Sequence, residues 1–469
     1  MAVMKRPVSS QDPRRIPEQL RRKYDVRGPR YTSYPPANHF GPVDEQELLR
    51  RWRARNELAD DPGLSLYLHI PFCRRRCLFC GCHTFVAKNA GQAGRYVSAL
   101  IAEMKLAAGI IDPARPLRQI ALGGGTPNFL EAGELDRLLR ALHDTWAVQA
   151  DAEKSVEINP RTATEEKLEV FLEHGFNRFS LGIQDFDPEV LRAVRRDQGL
   201  MEVEEVVSHL RGRGVDLLNF DLIYGLPGQE LAGCLATADK VIELRPTRIA
   251  LYSYAHVPWI HGHQRALEKL GLPGAEAKAE IFLALMDRFL AAGYLPIGMD
   301  HFALPEDSLA RALQAGTLRR NFMGYTTGRG LDLLACGASA ISAVGSTYAQ
   351  DEKPLPAYLE GVEAGRLPVF RGFLLDRDDE IRRELLLELF CNFRLDLRAL
   401  GQRFDIDATA YLAGDIERLD PLVRDGLVEI HDETIHVTDI GRFFIRNICM
   451  TFDRYLETDG GKRVYSRTI

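Results

Sequence analysis

From Leu64 onward the chain alternates between two periodicities. Short runs of apolar and β-branched residues, each of strand length, are separated by longer segments whose apolar positions recur every three to four residues. The runs from Leu64 to Phe72, Leu117 to Gly125, Lys154 to Pro160, Arg178 to Gln184, Val215 to Leu226 and Arg248 to Ala255 predict six strands. Between them, residues 133–147, 164–175 and 230–245 carry helical stripes. Three of the strands are almost wholly apolar, which predicts cover on both faces. Repeated βα units predict a parallel sheet, curled into a full or partial barrel with right-handed crossovers.

Parallel α/β architectures place functional groups at the carboxyl ends of their strands. Here those ends are a cysteine loop, Gly123-GGTP-Asn128, Glu157, Gln184-Asp185, Asp221 and Tyr254-Ala255-His256. Glu157 and Asp221 interrupt apolar runs, where a carboxylate without a partner is costly, so each is expected to meet a polar ligand or an internal base. A purely structural pairing is the alternative. The glycines free the backbone to approach a ligand, although such loops also serve as plain turns.

Beyond the barrel the pattern changes. Residues 270–350 mix helix with glycine-rich loops, and residues from about 375 read as helices followed by a small hairpin around His431-Asp432-Glu433, similar to the wing of a winged helix. The organisation expected is an N-terminal arm (1–60), a barrel (61–300), an extension and connection (301–370) and a mostly helical C-terminal domain (371–469). At 469 residues the chain has room for these units.

Charge adds one local feature. The formal net charge of -6 gives no support to a nucleic-acid partner, and the flanks of the hairpin, such as residues 415–421, are not basic as phosphate contacts require. Through Asp60, however, 13 Lys and Arg stand against 8 Asp and Glu, a basic arm suited to an anionic substrate or to folding over a site. A solvated arm is the plainer reading. The N-terminus has no apolar stretch of signal-peptide type, and the apolar run from Leu333 to Ser346 is too short to span a bilayer, so a cytoplasmic protein without a membrane partner is expected.

The chemistry concentrates in Tyr67-LHIPFCRRRCLFCGCH-Thr84. Four of the eight cysteines, Cys73, Cys77, Cys80 and Cys82, fall within ten residues. Thiolates gathered this closely repel one another unless a cation sits among them, and clustered reduced thiols fit a reducing compartment. The C-x3-C-x2-C spacing lets one loop ligate three irons of a cube and leaves the fourth iron open. A zinc knuckle is the alternative, but structural zinc usually draws two separated ligand pairs.

Together the cysteine loop, GGGTP, Gln184-Asp185 and Asp221-LIYGLP resemble the radical S-adenosylmethionine (SAM) enzymes. More narrowly, the chain resembles the oxygen-independent coproporphyrinogen III oxidases. That resemblance runs from about Lys23 to the C-terminus and includes Gly28-PRYTSYP-Pro36, Tyr254-AHV-Pro258, Gly298-MDHF, Cys391-NFRLDL and Arg446-NICM. It implies a partial (β/α)6 radical SAM barrel. It implies that Cys73, Cys77 and Cys80 bind a [4Fe-4S] cluster whose open iron chelates SAM, which reduction splits into methionine and a 5'-deoxyadenosyl radical. In the family this radical removes hydrogen from the β-carbon of a propionate, and loss of CO2 and one electron leaves a vinyl group, twice per substrate.

Family members hold two SAM molecules. The matching positions are Tyr67, Gly124, Gly125, Thr126, Glu157, Gln184, Arg196 and Asp221, with Ile223, Ala255 and Ile341 nearer the second. Cys82 is implied to lie outside the coordination sphere and to serve turnover. The implied partners are coproporphyrinogen III, an electron donor and an unidentified acceptor, with a monomeric protein. Arg27, Arg30 and the triplet Arg74-Arg75-Arg76 suit a tetra-anionic porphyrinogen, and a solvated surface run is the alternative for the triplet. Arg195 stands where the family often has Asn, which leaves open which arginine of the pair faces SAM, and Asn159 replaces a frequent Asp. Related haem-trafficking proteins share the barrel but carry an aromatic residue in place of Cys82 and lack the GPRYTSYP arm. A haem chaperone and a radical SAM enzyme modifying haem are the rival readings.

Overall fold

All six expected strands form. In the computed structural model, which describes residues 17–87, 90–458 and 465–468, they are β1 (Leu64–Ile70), β2 (Leu117–Gly124), β3 (Val148–Ile158), β4 (Arg178–Gln184), β5 (Leu217–Tyr224) and β6 (Arg248–Ser253). They pair in parallel in chain order. Sixteen positions at the start of the basic arm lie outside the described residues. Helices Ala90–Ala108, Ala132–Thr145, Glu165–Glu173, Leu200–Gly212 and Leu231–Leu244 connect the strands. The helix Ala132–Thr145 shows why: Leu135, Leu138, Leu139 and Leu142 form one buried stripe. Thr164 caps the next helix by accepting from the Lys167 amide, and Asp187 caps Pro188–Ala193 with Pro at its first position.

The sheet continues on both sides. β7 (Leu295–Ile297) and β8 (His301–Ala303) extend it antiparallel past β6. On the other side β9 (Asp332–Cys336) lies parallel to β1, and β10 (Ile341–Val344), β11 (Thr347–Asp351) and β12 (Val369–Leu374) follow antiparallel. The order across twelve strands is β12-β11-β10-β9-β1-β2-β3-β4-β5-β6-β8-β7. The apolar run from Leu333 to Ser346 is therefore a pair of buried strands joined by a turn of small residues. Gly337 has a φ of +115°, and a Cβ there would lie 2.6 Å from the Tyr96 hydroxyl, so only glycine fits. Among the described residues no helix is long and apolar enough to cross a membrane.

The expectation of cover on both faces holds for β1, buried at six of its seven positions, and fails for β4 and β5. In β4 and β5, Phe179, Leu181, Ile183, Leu218, Phe220 and Leu222 are buried, whereas Ser180, Gly182, Gln184, Asn219, Asp221 and Ile223 on the opposite face stay partly accessible. One face packs under the helices against residues such as Leu139, Phe171 and Val207. The other face lines an open cavity, so polar residues two apart in an apolar run mark its wall.

The chain divides into two compact units, one running from His39 to Asp376 and the other comprising the chain up to Asn38 and from Arg377 on. In the second unit, helix Arg377–Asn392 precedes a three-stranded sheet of Arg394–Asp396, Thr434–Val437 and Val428–His431. Asp432 and Glu433 both adopt positive φ, the requirement of a two-residue hairpin turn. The GPRYTSYP segment is held within this unit. Arg446 donates to the carbonyls of Gly28, Pro29 and Arg467, and the Tyr31 hydroxyl donates to Asp453 at 2.8 Å.

Candidate active site

β1 leads directly into the cysteine loop. Cys73 lies on the short strand Phe72–Cys73, which pairs with Phe85–Val86 and closes the loop at its base. Three hydrogen bonds from two segments pin its crown: the Leu78 amide donates to the Val194 carbonyl at 3.0 Å, Gln264 donates to the Phe79 carbonyl at 3.1 Å, and His263 Nε2 donates to the Cys80 carbonyl at 2.9 Å. Leu78 also joins Val190, Val194, Leu226, Tyr254 and Leu267 in a small apolar cluster, with Phe79 and Ile223 against it. Segments following β4, β5 and β6 thus fix the loop over the strand ends.

Cys73, Cys77 and Cys80 are half-buried, and Cys82 is exposed. Burial pushes the Cys73 thiol up to about 11, and the charges of Cys80 and Cys77 push it further the same way. Cys77 is raised by burial too. The Cys82 thiol donates to Cys80, lowering Cys80 to about 6 with help from Arg76 and Arg196, while Cys82 is held well above the usual thiol range. Among the described residues no three His, Cys, Asp or Glu side chains converge as a single-ion site requires. Burial nevertheless disfavours the free thiolates of Cys73 and Cys77, and Cys73 feels the charge of both other cysteines, while Cys80 is favoured as a thiolate by its Cys82 partner. Three soft donors without a common centre fit a cluster in which each thiolate takes its own iron.

Basic and hydroxyl groups face the same thiols. Thr126 Oγ1 lies 3.4 Å from Cys73 Sγ, and Arg196 Nη1 lies 3.9 Å from Cys77 Sγ. Arg196 is further held by the Gly182 carbonyl and by Gln198 Oε1 at 3.2 Å. Its neighbour Arg195, at a φ of +60°, is exposed. The turn after Pro188–Ala193 therefore presents Arg196, and not Arg195, to the thiols.

Two acids face each other across the strand ends. Glu157 accepts the Gly124 amide at 3.0 Å and is pushed up to about 7 by its surroundings, then by the charge of Asp221. Asp221 accepts from Ser180 at 3.0 Å and Asn219 at 2.9 Å, and is raised by burial against that help. Protein surrounds Glu157 closely although its side chain remains open to solvent, as expected of a residue on a cavity wall. Cys82, which senses the Glu157 charge, has the same character. The Oδ1 of Asn219 has no hydrogen-bond partner. Two adjacent acids and an unpaired amide oxygen suit an ammonium or a pair of ribose hydroxyls.

The three glycines make room for the protein's own groups. A Cβ on Gly123 would meet Glu157 Oε1 at 2.8 Å, and one on Gly125 would meet the Pro71 backbone at 2.8 Å. Gly124, at a φ of +116°, would drive a Cβ to 2.5 Å from the His69 ring. That ring was not anticipated from the sequence. His69 is buried and its pKa is lowered to about 4, so it is neutral; Nε2 donates to the His83 carbonyl at 3.1 Å, leaving Nδ1 to accept from the Tyr67 hydroxyl at 3.1 Å. Ser180 and Asn219 were missed as well, although Asn219 stands two residues before Asp221 and so faces the same way.

The remaining expected residues are spread around the rim. Gln184 ends β4 at a φ of +70°, with Nε2 turned back toward Gly182. Ile223 lies on the open face of β5, opposite Tyr252 of β6, and Ala255 follows two residues beyond the end of β6. Ile341 comes from β10, on the opposite wing of the sheet, so the three apolar residues are not brought together as strand neighbours.

Comparison with known proteins agrees with this geometry. Residues 67–241 match the family model described as the radical SAM superfamily, and residues 375–444 match the HemN C-terminal domain. The chain is 42% identical over 450 residues to the oxygen-independent coproporphyrinogen III oxidase of Escherichia coli K12, covering 96% of this chain and 98% of that protein. It is 40% identical over 456 residues to the enzyme of that name from Pseudomonas aeruginosa, covering 96% and 98%. The solved structure of the Escherichia coli coproporphyrinogen III oxidase HemN, described as a radical SAM enzyme, superposes with a TM-score of 0.87 at 42% identity, covering 91% of this chain and 97% of that one.

Proposed function

The chain belongs to the family of oxygen-independent coproporphyrinogen III oxidases, and from that premise we propose how its own residues carry the reaction. The protein is a radical SAM oxidoreductase that converts two propionates of coproporphyrinogen III to vinyl groups, giving protoporphyrinogen IX in haem biosynthesis. Its cofactors are a [4Fe-4S] cluster and SAM. When bound, the pair supplies abstraction of a hydrogen atom from the β-carbon of a propionate.

Cys73, Cys77 and Cys80 hold the cluster, and Arg76 and Arg196 offset the charge of the thiolates. Glu157 and Asp221 receive the ammonium or ribose hydroxyls of SAM, and Arg196 forks onto a carboxylate. Gly124, Gly125 and Thr126 set the backbone beside Cys73, and Tyr67, oriented by His69, keeps its oxygen lone pairs for the cavity. Ile223 and Ala255 offer apolar surface for adenine on one wing of the sheet and Ile341 on the other, and Gln184 stands on the strand between those of Glu157 and Asp221. Cys82, outside the cluster, stands at the cavity wall where it can exchange hydrogen or a proton with the substrate. An external electron donor and an acceptor for the final electron complete the cycle, and the protein acts as a cytoplasmic monomer, supported by four free thiols that need a reducing compartment.

The observation that carries this reading is the convergence of the three-cysteine loop with the Glu157–Asp221 pair at the carboxyl ends of parallel strands. Reconstituted protein incubated anaerobically with coproporphyrinogen III, SAM and dithionite should yield a product lighter by two CO2 and four hydrogens. Unmodified porphyrinogen, bound haem or added methyl mass would overturn it.

A further inference from the structure

The outer face of the cysteine loop bears positive charge of which the site uses only Arg76. Arg74, Arg75 and Arg76 are exposed between Cys73 and Cys77, and Arg161 and Arg195 are exposed on the turns after β3 and β4. Asp197, on the turn after β4, bridges Arg75 at 2.8 Å and Arg161 at 3.5 Å, which brings these turns together. Beside them, the loop after β6 is tied to the cysteine loop by His263 and exposes Trp259 (52%) and Ile260 (66%). The His261 ring of that loop stands against the cysteine loop, its Nε2 3.7 Å from where a Cβ on Gly81 would lie.

We propose that this face docks the electron donor, an acidic protein that carries single electrons. Exposed arginines bind a small anion weakly because water and salt screen each pair, whereas their combined field steers a large acidic partner and raises its rate of encounter. Tryptophan and arginine are residues that interface centres favour. The position is also the one such a carrier needs. The arginines belong to the same short loop as Cys73 and Cys77, so a carrier seated on them stands a few residues from the thiolates. One electron leaves the carrier, which is left oxidised, for each SAM cleaved. The proposal rests on the cluster assignment above.

The test uses the reconstituted enzyme and fluorescently labelled flavodoxin, an acidic one-electron carrier, as the probe. Anisotropy should report binding to the wild type that weakens steeply between about 50 and 300 mM salt. The Arg74→Glu/Arg161→Glu variant should bind at least tenfold more weakly with a shallower salt dependence. Its turnover with dithionite and its KM for coproporphyrinogen III should equal those of the wild type, and Arg74→Lys/Arg161→Lys should restore binding. A raised KM with unchanged flavodoxin binding would assign the face to the porphyrinogen and overturn the proposal. Equal binding by all three proteins would make it a solvated surface. Wild-type turnover with dithionite is read separately, so failure of the cluster reading and failure of the docking face are distinguishable.

Discussion

Arg196 Nη1 lies 3.9 Å from Cys77 Sγ, while Arg195 beside it is exposed. One residue of register decides which guanidinium meets the site. Replacing Arg196 by Ala should weaken SAM binding by about 1.5–3 kcal/mol, the range for hydrogen bonds to charged groups. Iron content should be unchanged. Arg195→Ala should bind SAM as the wild type does, and a larger loss there would reverse the assignment; equilibrium dialysis of the reconstituted variants measures both.

Anaerobically purified protein should contain about four irons per chain and little zinc. Cys73→Ala, Cys77→Ala and Cys80→Ala should each lose the iron. Cys82→Ser should keep it and lose porphyrinogen turnover, because the Cys82 side chain is exposed on the cavity wall and needs no iron to stay there. Iron loss in that variant would make Cys82 a ligand.

Gly124→Ala should be destabilised by about 1–3 kcal/mol, from the strain of a φ of +116° and from the clash with the His69 ring. His69 would then release Tyr67 or the His83 carbonyl. Combining Gly124→Ala with His69→Ala should recover part of the loss, and strictly additive losses in denaturant unfolding would show that the ring is not the obstacle.

Behind β9, Glu103 and Asp351 are buried and share a hydrogen bond, with Tyr358 donating to Glu103 at 2.6 Å and the Gly337 amide at 2.8 Å. Burial raises Glu103 to about 7 and Asp351 well above the carboxylate range, its neighbour's charge adding to the latter. Both folded values exceed the unfolded ones, so this stabilisation is full below about pH 4 and is lost as the pH rises through 7, by roughly 3 kcal/mol at most for Glu103. Unfolding free energy measured from pH 5 to 8 should fall less in Asp351→Asn than in the wild type. An equal or steeper fall in the variant would exclude the pair as the source.

In the C-terminal unit, Arg446 is buried and donates to the carbonyls of Gly28, Pro29 and Arg467. Arg446→Met should destabilise that unit by about 2–4 kcal/mol, since carbonyls once served by a charged donor lose it. Limited proteolysis should then cut near Gly28 faster than in the wild type, and unchanged protection would refute the role of Arg446 as the anchor of the segment.

The sequence by itself determined the parallel strands and the metal chemistry, because both depend on local spacing. Alternation of apolar runs and helical stripes is a property of neighbours in the chain, and so is C-x3-C-x2-C. Glu157 and Asp221 were legible for the same reason, as charges standing in apolar strands. Tertiary structure alone decided the rest. That the Leu333–Ser346 run supplies β9 and β10 depends on its pairing with β1, more than two hundred residues earlier, and no local signal separates a buried strand pair from another apolar stretch. Which face of β4 and β5 opens to the cavity follows from where the helices pack. The pairing of the GPRYTSYP segment with Arg446 joins opposite ends of the chain. The role of His69 is of the same kind: its ring occupies the space that Gly124 leaves free, and that contact exists only once β1 and β2 lie side by side.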